Sequence, residues 1–382
     1  VKWEDEIVET AATDTGMRRS NNQDSYAVVR TSSRETWATR GHLFMVADGM
    51  GAHAVGELAS KLACDNVPHS YMKLRQGSAA EALTKAFREV GRLIHNRAKS
   101  IKDFEGMGTT CSALILLPTG GLVGHVGDSR VYRVRNRQIE QLTFDHSLVW
   151  ELVRRNHLTL EEANRTVPRN VITRSLGSEA TVEVDIEGPL SVRNGDVFVL
   201  CSDGLSGPVK DPEIGAFAEN FHPNDASRYL IQLANIRGGN DNITLVMVRI
   251  GPWVEPEDAE GTAGGRQNGE SPEKKSSLFK NLLSPFHRKP AEPEVEENIY
   301  ASADCSITPE MLVTLSDLVR DTQFLAVEQA WPLDWPELAN QRRLAEEARL
   351  AGRMRTALRH LGEAIEMLGK GGRLFRKAQA ES

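Results

Sequence analysis

Cysteine is scarce in this chain. Cys64, Cys111, Cys201 and Cys305 lie far apart with no paired spacing, which leaves no basis for a disulfide scaffold or a zinc site. They read as reduced thiols of a cytosolic protein. Long apolar runs are missing too, and none approaches the roughly 18 residues that cross a bilayer. Val1-Lys2-Trp3-Glu4-Asp5 lacks the basic and apolar regions of a signal peptide, so a cytoplasmic location is expected. Positive charge is not in excess either. The formal net charge is −7, which argues against a general nucleic-acid binder. At 382 residues the chain is long enough for one large domain and a smaller one.

What the chain does have is aspartate in a repeated setting. Six short acidic patterns recur: Asn21-Asn22-Gln23-Asp24, Asp48-Gly49-Met50-Gly51, Gly127-Asp128-Ser129-Arg130, Asp145-His146-Ser147, Cys201-Ser202-Asp203-Gly204 and Asp241-Asn242. Asp48, Asp128 and Asp203 each follow an apolar strand-like run, respectively Leu43–Ala47, Leu122–Val126 and Val197–Leu200. Strands that end in carboxylates converge on a small volume, where like charges repel unless cations neutralise them. Oxygen-only ligands favour hard ions such as Mg²⁺ or Mn²⁺ over zinc or copper. A polynuclear metal enzyme is therefore expected. Each aspartate also has a local alternative. Asp24, Asp48, Asp203 and Asp241 suit turns, Asp128 suits a pair with Arg130, and Asp145 with His146 suits a helix cap.

Residues 7–250 alternate strand-like and helix-like segments without a long polar break. Strands are predicted at Ile7–Thr13, Ser25–Arg30, His42–Ala47, Thr110–Leu117, Leu122–Val126, Val131–Arg135, Val182–Glu187, Val197–Leu200 and Ile243–Ile250. Apolar spacing predicts helices at Gly56–Lys73, Ala79–Ser100, Leu148–Asn156, Leu160–Asn164 and Asp225–Ile236. Short strands with helices clustered between them imply antiparallel sheets with helices outside, an α+β chain. Residues 1–250 form the expected catalytic domain. Residues 251–300 turn to Pro, Glu, Gly, Ser and Lys and read as a disordered linker, with Leu278–Leu283 as its one apolar stretch.

Residues 301–382 are predicted to be a helical module. Thr308-Pro309 opens one helix as cap and first turn. A second apolar stripe runs from Leu344 to Leu368, and Gly369, Gly371 and Gly372 are expected to stop it. That stripe must bury against something, either within its own bundle or on a protein partner. Residues 335–368 also resemble one tetratricopeptide unit, a helical hairpin, with an uninterrupted helix through Gly352 as the competing reading. Removing residues 300–382 is expected to spare hydrolysis of a small ester.

Eight motifs in order now carry a resemblance. They are Gly16 to Asp24, Asp48-Gly49-Met50-Gly51-Ala52-His53, Gly108-Thr109-Thr110, Gly127-Asp128-Ser129-Arg130, Leu142 to Ser147, Ile172 to Gly177, Ser202-Asp203-Gly204 and Asp241-Asn242-Ile243-Thr244. Over residues 7–250 the chain resembles the bacterial metal-dependent serine/threonine protein phosphatases of type 2C. The resemblance implies a four-layer α-β-β-α sandwich with a dinuclear Mn²⁺ or Mg²⁺ centre at one end. By it, Asp48 bridges two metals and the Gly49 carbonyl completes one shell. Asp203 and Asp241 hold the first metal, and Asp24 acts on the second through water. Asp128 joins Asp203 at a weaker third metal. Arg19 clamps the phosphate, as a planar guanidinium suits a tetrahedral oxyanion. Asp145 and His146 belong to a flap beside the cleft that selects substrates.

The implied activity is hydrolysis of phosphoserine and phosphothreonine in proteins by metal-activated water, reversing a Ser/Thr kinase in signalling. Two alternatives stand beside it: a catalytically weak phosphoprotein-binding regulator on the same fold, or a phosphatase of a small phosphate ester. Some residues depart from the family pattern. Met50 replaces a histidine proposed as general acid in eukaryotic members, leaving metal-bound water or His53 as proton donor. Ala52 replaces a glycine, and Gln23 replaces an acidic residue.

Overall fold

The computed structural model describes residues 7–51, 55–74, 76–154, 162, 165–168, 171–256 and 300–381. Ala52, His53, most of Leu160–Asn164, the stretch Leu278–Leu283 and nearly all of the expected linker lie outside them. Strands β1 (Ile7–Asp14), β2 (Asp24–Val29) and β3 (His42–Met50) open the chain, with helix α1 (Arg34–Arg40) before β3. Helices α2 (Val55–Lys73) and α3 (Ala79–Ser100) follow. Next come β4 (Gly108–Thr109), β5 (Cys111–Leu117), β6 (Gly120–Val126), β7 (Arg130–Arg135) and β8 (Gln138–Gln141). After α4 (Leu148–Arg154) the chain forms β9 (Asp185–Leu190), β10 (Val197–Cys201), α5 (Asp203–Ser206), α6 (Asp211–Asn220), α7 (Pro223–Ile236) and β11 (Ile243–Ile250). Strand β12 (Ala301–Asp304) precedes α8 (Pro309–Glu328), α9 (Trp335–Leu350) and α10 (Met354–Glu381).

One sheet runs β1-β11-β10-β7-β8-β12 and the other β2-β3-β5-β6-β9, with β4 pairing β3. All pairings between these strands are antiparallel. The two-residue period of a strand sorts each apolar run between layers. Phe44 and Val46 face the core between the sheets, while Leu43, Met45 and Ala47 face the layer under α2 and α3. In β10, Phe198 and Leu200 point between the sheets, and Val197, Val199 and Cys201 point to the other outer layer. The result is an α-β-β-α sandwich. Unbroken apolar runs are what strands buried on both faces require.

The helices beyond residue 300 do not bundle apart from it. Leu312, Leu315, Val319, Leu358, Leu361, Ile365 and Leu368 lie in one continuous apolar cluster with Phe217 of α6, Phe221 just after it, and Tyr229, Leu230 and Leu233 of α7. The stripe on the last helix therefore buries against the sandwich. Strand β12 reinforces the join by pairing with β8 in register Ala301↔Gln141 to Asp304↔Gln138. Thr308 caps α8 as expected, accepting from the Met311 amide at 3.2 Å.

Several local expectations give way. Helix α10 does not stop at Gly369, Gly371 and Gly372 but continues to Glu381. A methyl group at those glycines would meet Gln232, Leu333 and Trp331 at 2.2, 2.2 and 2.7 Å. They are spacers for tight helix packing and not terminators. The real break lies between α9 and α10, where Gly352 takes a φ of 74°. That rules out one uninterrupted helix and makes a hairpin. Strands β8 and β12 and helices α1 and α6 lacked a strong periodic signal. Among the described residues no helix is long and apolar enough to cross a membrane.

Candidate metal centre

The carboxylates of interest come from both sheets. Asp24 and Asp48 are directly opposite across the β2–β3 pair. Strand β3 runs on through Met50 because β4 pairs with Gly49 and Met50, so Asp48 is in a strand and not in a turn. Its backbone is pinned on both sides: its amide donates to Thr110 Oγ1 at 2.8 Å, and its carbonyl accepts from Thr109 Oγ1 at 2.9 Å. The next residue must be glycine. A Cβ on Gly49 would lie 2.0 Å from the Gly56 carbonyl, where α2 packs against the strand.

Asp128 follows β6, and Ser129 Oγ is 2.7 Å from Thr110 Oγ1, which ties the Asp128 loop to the one under Asp48. Asp203 starts α5 and Asp241 precedes β11. Ser202 Oγ donates to Asp24 Oδ2 at 2.7 Å and accepts from the Thr244 amide at 3.0 Å, locking the two sheets together at the site. Asn242 holds the opposite loop. Its side chain accepts from the Gln23 amide and donates to the carbonyls of Thr15 and Asn21 at 2.8, 3.0 and 2.9 Å. Gln23, which stands where the family carries an acidic residue, is tied into the site through its backbone, its amide to Asn242 and its carbonyl to the Gly49 amide.

Burial makes this cluster electrostatically expensive. It pushes Asp24 and Asp128 up to about 7 and Asp48 well above the usual carboxylate range. Asp203 is raised first by burial and then by the charge of Asp241, against a stabilising hydrogen bond with Asp48. Among the described residues, Asp24 Oδ1, Asp128 Oδ1 and Asp203 Oδ1 are buried with no hydrogen-bond donor. An orphaned buried carboxylate oxygen is costly, and the donor set is all oxygen, which fits a hard divalent ion. Among the described residues no three His, Cys, Asp or Glu side chains close on one point as a finished ligand sphere. Arg19 Nη2 donates to Asp241 Oδ2 at 2.8 Å and is the cation at the mouth of the cluster.

Residues 17–237 match the protein phosphatase 2C family. The chain belongs to that family. It is 34% identical over 241 residues to the serine/threonine phosphatase stp of Listeria monocytogenes, covering 62% of this chain and 93% of that protein. The solved Streptococcus agalactiae serine/threonine phosphatase is 34% identical with a TM-score of 0.58, over 64% of this chain and 99% of that one. The catalytic domain of the serine/threonine phosphatase PstP, solved in complex with two manganese ions, is 33% identical with a TM-score of 0.54, again over 64% and 99%. The protein is accordingly a serine/threonine phosphatase, a hydrolase of phosphoproteins.

In this phosphatase Asp145 and His146 do not cap a helix. Helix α4 begins two residues later, and the Asp145 carboxylate grips Arg130 at 2.7–3.2 Å while accepting from Gln141. Arg130 therefore pairs by hydrogen bonds with Asp145 and acts on Asp128 through its charge. His146 accepts from the Gly127 amide on Nδ1, so its Nε2 proton goes to Asp185 at 2.9 Å. That contact, with Arg174 at 2.8 Å, pulls Asp185 down to about 2. Asp185 had no motif to mark it. Asp145 and His146 thus tie Gly127, Arg130 and Asp185 to one another beside the cluster.

Proposed function

We propose that Asp48, Asp203 and Asp241, with the Gly49 carbonyl, hold two Mn²⁺ or Mg²⁺ ions. Asp24 acts on the second ion through water, and Asp128 joins Asp203 at a third. The single observation that carries this is the set of unpartnered buried oxygens on Asp24, Asp128 and Asp203. Divalent ions, when bound there, supply charge neutralisation and a water of lowered pKa for attack on phosphorus. The chain's own residues do the rest. Arg19, half exposed on Asp241, exchanges that carboxylate for a phosphate oxygen and orients the ester. Ser202 and Asn242 keep the two loops in place. The substrates on this reading are phosphoproteins made by a Ser/Thr kinase. Residues 301–382 serve as a packed outer layer of the catalytic domain.

Calorimetric titration of the whole protein with Mn²⁺, beside its Asp203→Asn and Asp128→Asn variants, tests the ligand set. Asp203→Asn is expected to weaken the first site and the third together and to lose on the order of a hundred-fold in turnover. Asp128→Asn keeps two sites and loses less. Identical titrations for all three proteins would remove Asp203 and Asp128 from the ligand set.

A further inference from the structure

Helix α10 reaches back to the loop that carries Arg19. Arg373 donates to the Asp14 carboxylate and Arg376 Nη1 to the Met17 carbonyl. The Met17 and Arg18 amides share the Gly239 carbonyl at 2.7 and 3.1 Å, so this loop is held between the Asp241 loop and α10. Between them lies a cavity of about 870 Å³, walled by Met17, Leu325, Trp331 and Phe375 with Arg18 and Arg376 at its polar side. Among the described residues no aspartate or glutamate lines it. Among the described residues Arg18 makes no side-chain hydrogen bond, and Arg376 uses only Nη1. Burial and then the Arg18 charge lower the Arg376 pKa, the sign of two like charges left facing one another. The wall made by α8 and α10 lies beyond the residues that match the family, so this pocket is an addition of this chain.

We propose that this pocket receives an acidic side chain of the phosphoprotein substrate, close in sequence to the phosphorylated serine or threonine. Arg18 and Arg19 are adjacent in the chain, and neighbouring Cα atoms are about 3.8 Å apart. A substrate whose phosphate lies on Arg19 runs its flanking residues past Arg18, at about 3.3 Å per extended residue. The two guanidiniums take the carboxylate, and Trp331, Leu325 and Phe375 cover the aliphatic part of the segment. The proposal rests on Arg19 as the phosphate clamp.

The test compares two phosphothreonine peptides, identical except for Glu or Gln at the flanking positions, with the 382-residue chain and Mn²⁺. The Glu peptide is expected to be preferred on the order of five-fold in kcat/KM, mostly through KM. Arg18→Gln and Arg376→Gln bring the ratio close to one, and Arg18→Lys keeps most of it. Arg18 is exposed, so its variants test the pocket without a folding risk. A ratio near one in the unaltered protein, or a ratio that both glutamine variants leave in place, overturns the proposal. The clamp is checked apart from this with Arg19→Ala on a small phosphate ester that has no flanking residues. A raised KM there upholds the clamp, and an unchanged KM removes it without touching the peptide ratio.

Discussion

The two outer faces of the sandwich are finished differently. Over the β2-β3-β5-β6-β9 sheet a single pair of helices, α2 and α3, buries Leu83, Phe87 and Val90 and then meets solvent. Over the other sheet α6 and α7 are themselves covered. Tyr229 on α7 touches Gly362 of α10, its hydroxyl donates to Glu363, and Arg228 bonds Glu366 through both carboxylate oxygens at 2.9 Å. An amphipathic helix needs one partner, whereas a helix apolar on two sides needs two. With α10 laid over it, helix α7 buries Ala226, Ser227, Tyr229, Leu230, Ile231, Leu233, Ala234 and Asn235, so here it is an inner layer. The helices beyond residue 300 complete a core that the first 250 residues leave open.

The harshest way to break this comparison is deletion of residues 300–382. The tethered-module expectation has small-ester hydrolysis survive. The packing predicts instead a chain that loses cooperative unfolding and most activity, read by near-UV circular dichroism and ester hydrolysis. A folded, fully active truncation would show the second layer to be dispensable. Matched core truncations come next. Leu361→Ala in the added layer and Leu83→Ala under α3 are both fully packed, and each is expected to cost about 2–5 kcal/mol by chemical denaturation. A cost under about 1 kcal/mol for Leu361 alone would demote that layer.

Acidity sharpens the comparison from the side of the cluster. With Asp24 and Asp128 raised to about 7, the folded chain holds protons that the unfolded chain releases near pH 4. Metal-free stability therefore falls as pH rises from about 4 to about 7. Mn²⁺ is expected to raise the melting temperature more at pH 8 than at pH 5.5, measured by scanning calorimetry in chelator and in excess metal. His125 has the opposite slope. Burial and the neighbouring His146 lower it to about 3, so below pH 6.5 the unfolded chain binds a proton the folded one refuses. Stability falls by up to about 1.4 kcal/mol per pH unit from 6.5 toward 3, and His125→Asn is expected to flatten that share. The smallest effect belongs to Arg228→Met. Its side chain is about half exposed, so the loss is expected to be about 1 kcal/mol or less.

Much of the site was legible because its residues are marked locally. Asp48, Asp128 and Asp203 follow apolar runs whose parity the sheets fix, and the Asp24↔Asp48 pairing needs only the β2–β3 hairpin-like register. What was not legible depends on distant partners. Asp145 reads as a cap until Arg130 is seen beside it, 15 residues earlier in the chain. Asp185 matters through His146, 39 residues away, and through Arg174, 11 residues away. Gly369, Gly371 and Gly372 carry a strong local signal for a helix end, yet they are small because Trp331, Leu333 and Gln232 press on them. Local propensity lost there to tertiary contact.

The contact of Arg373 with Asp14 spans 359 residues. A ribosome adding roughly 5–20 residues per second makes Asp14 about 20–70 seconds before Arg373. Through that interval the loop bearing Arg18 and Arg19 has no α10 to rest on. Until α10 is made, the arginine turn is held on one side only, by the Gly239 carbonyl, and the cavity beside Arg18 lacks its α10 wall.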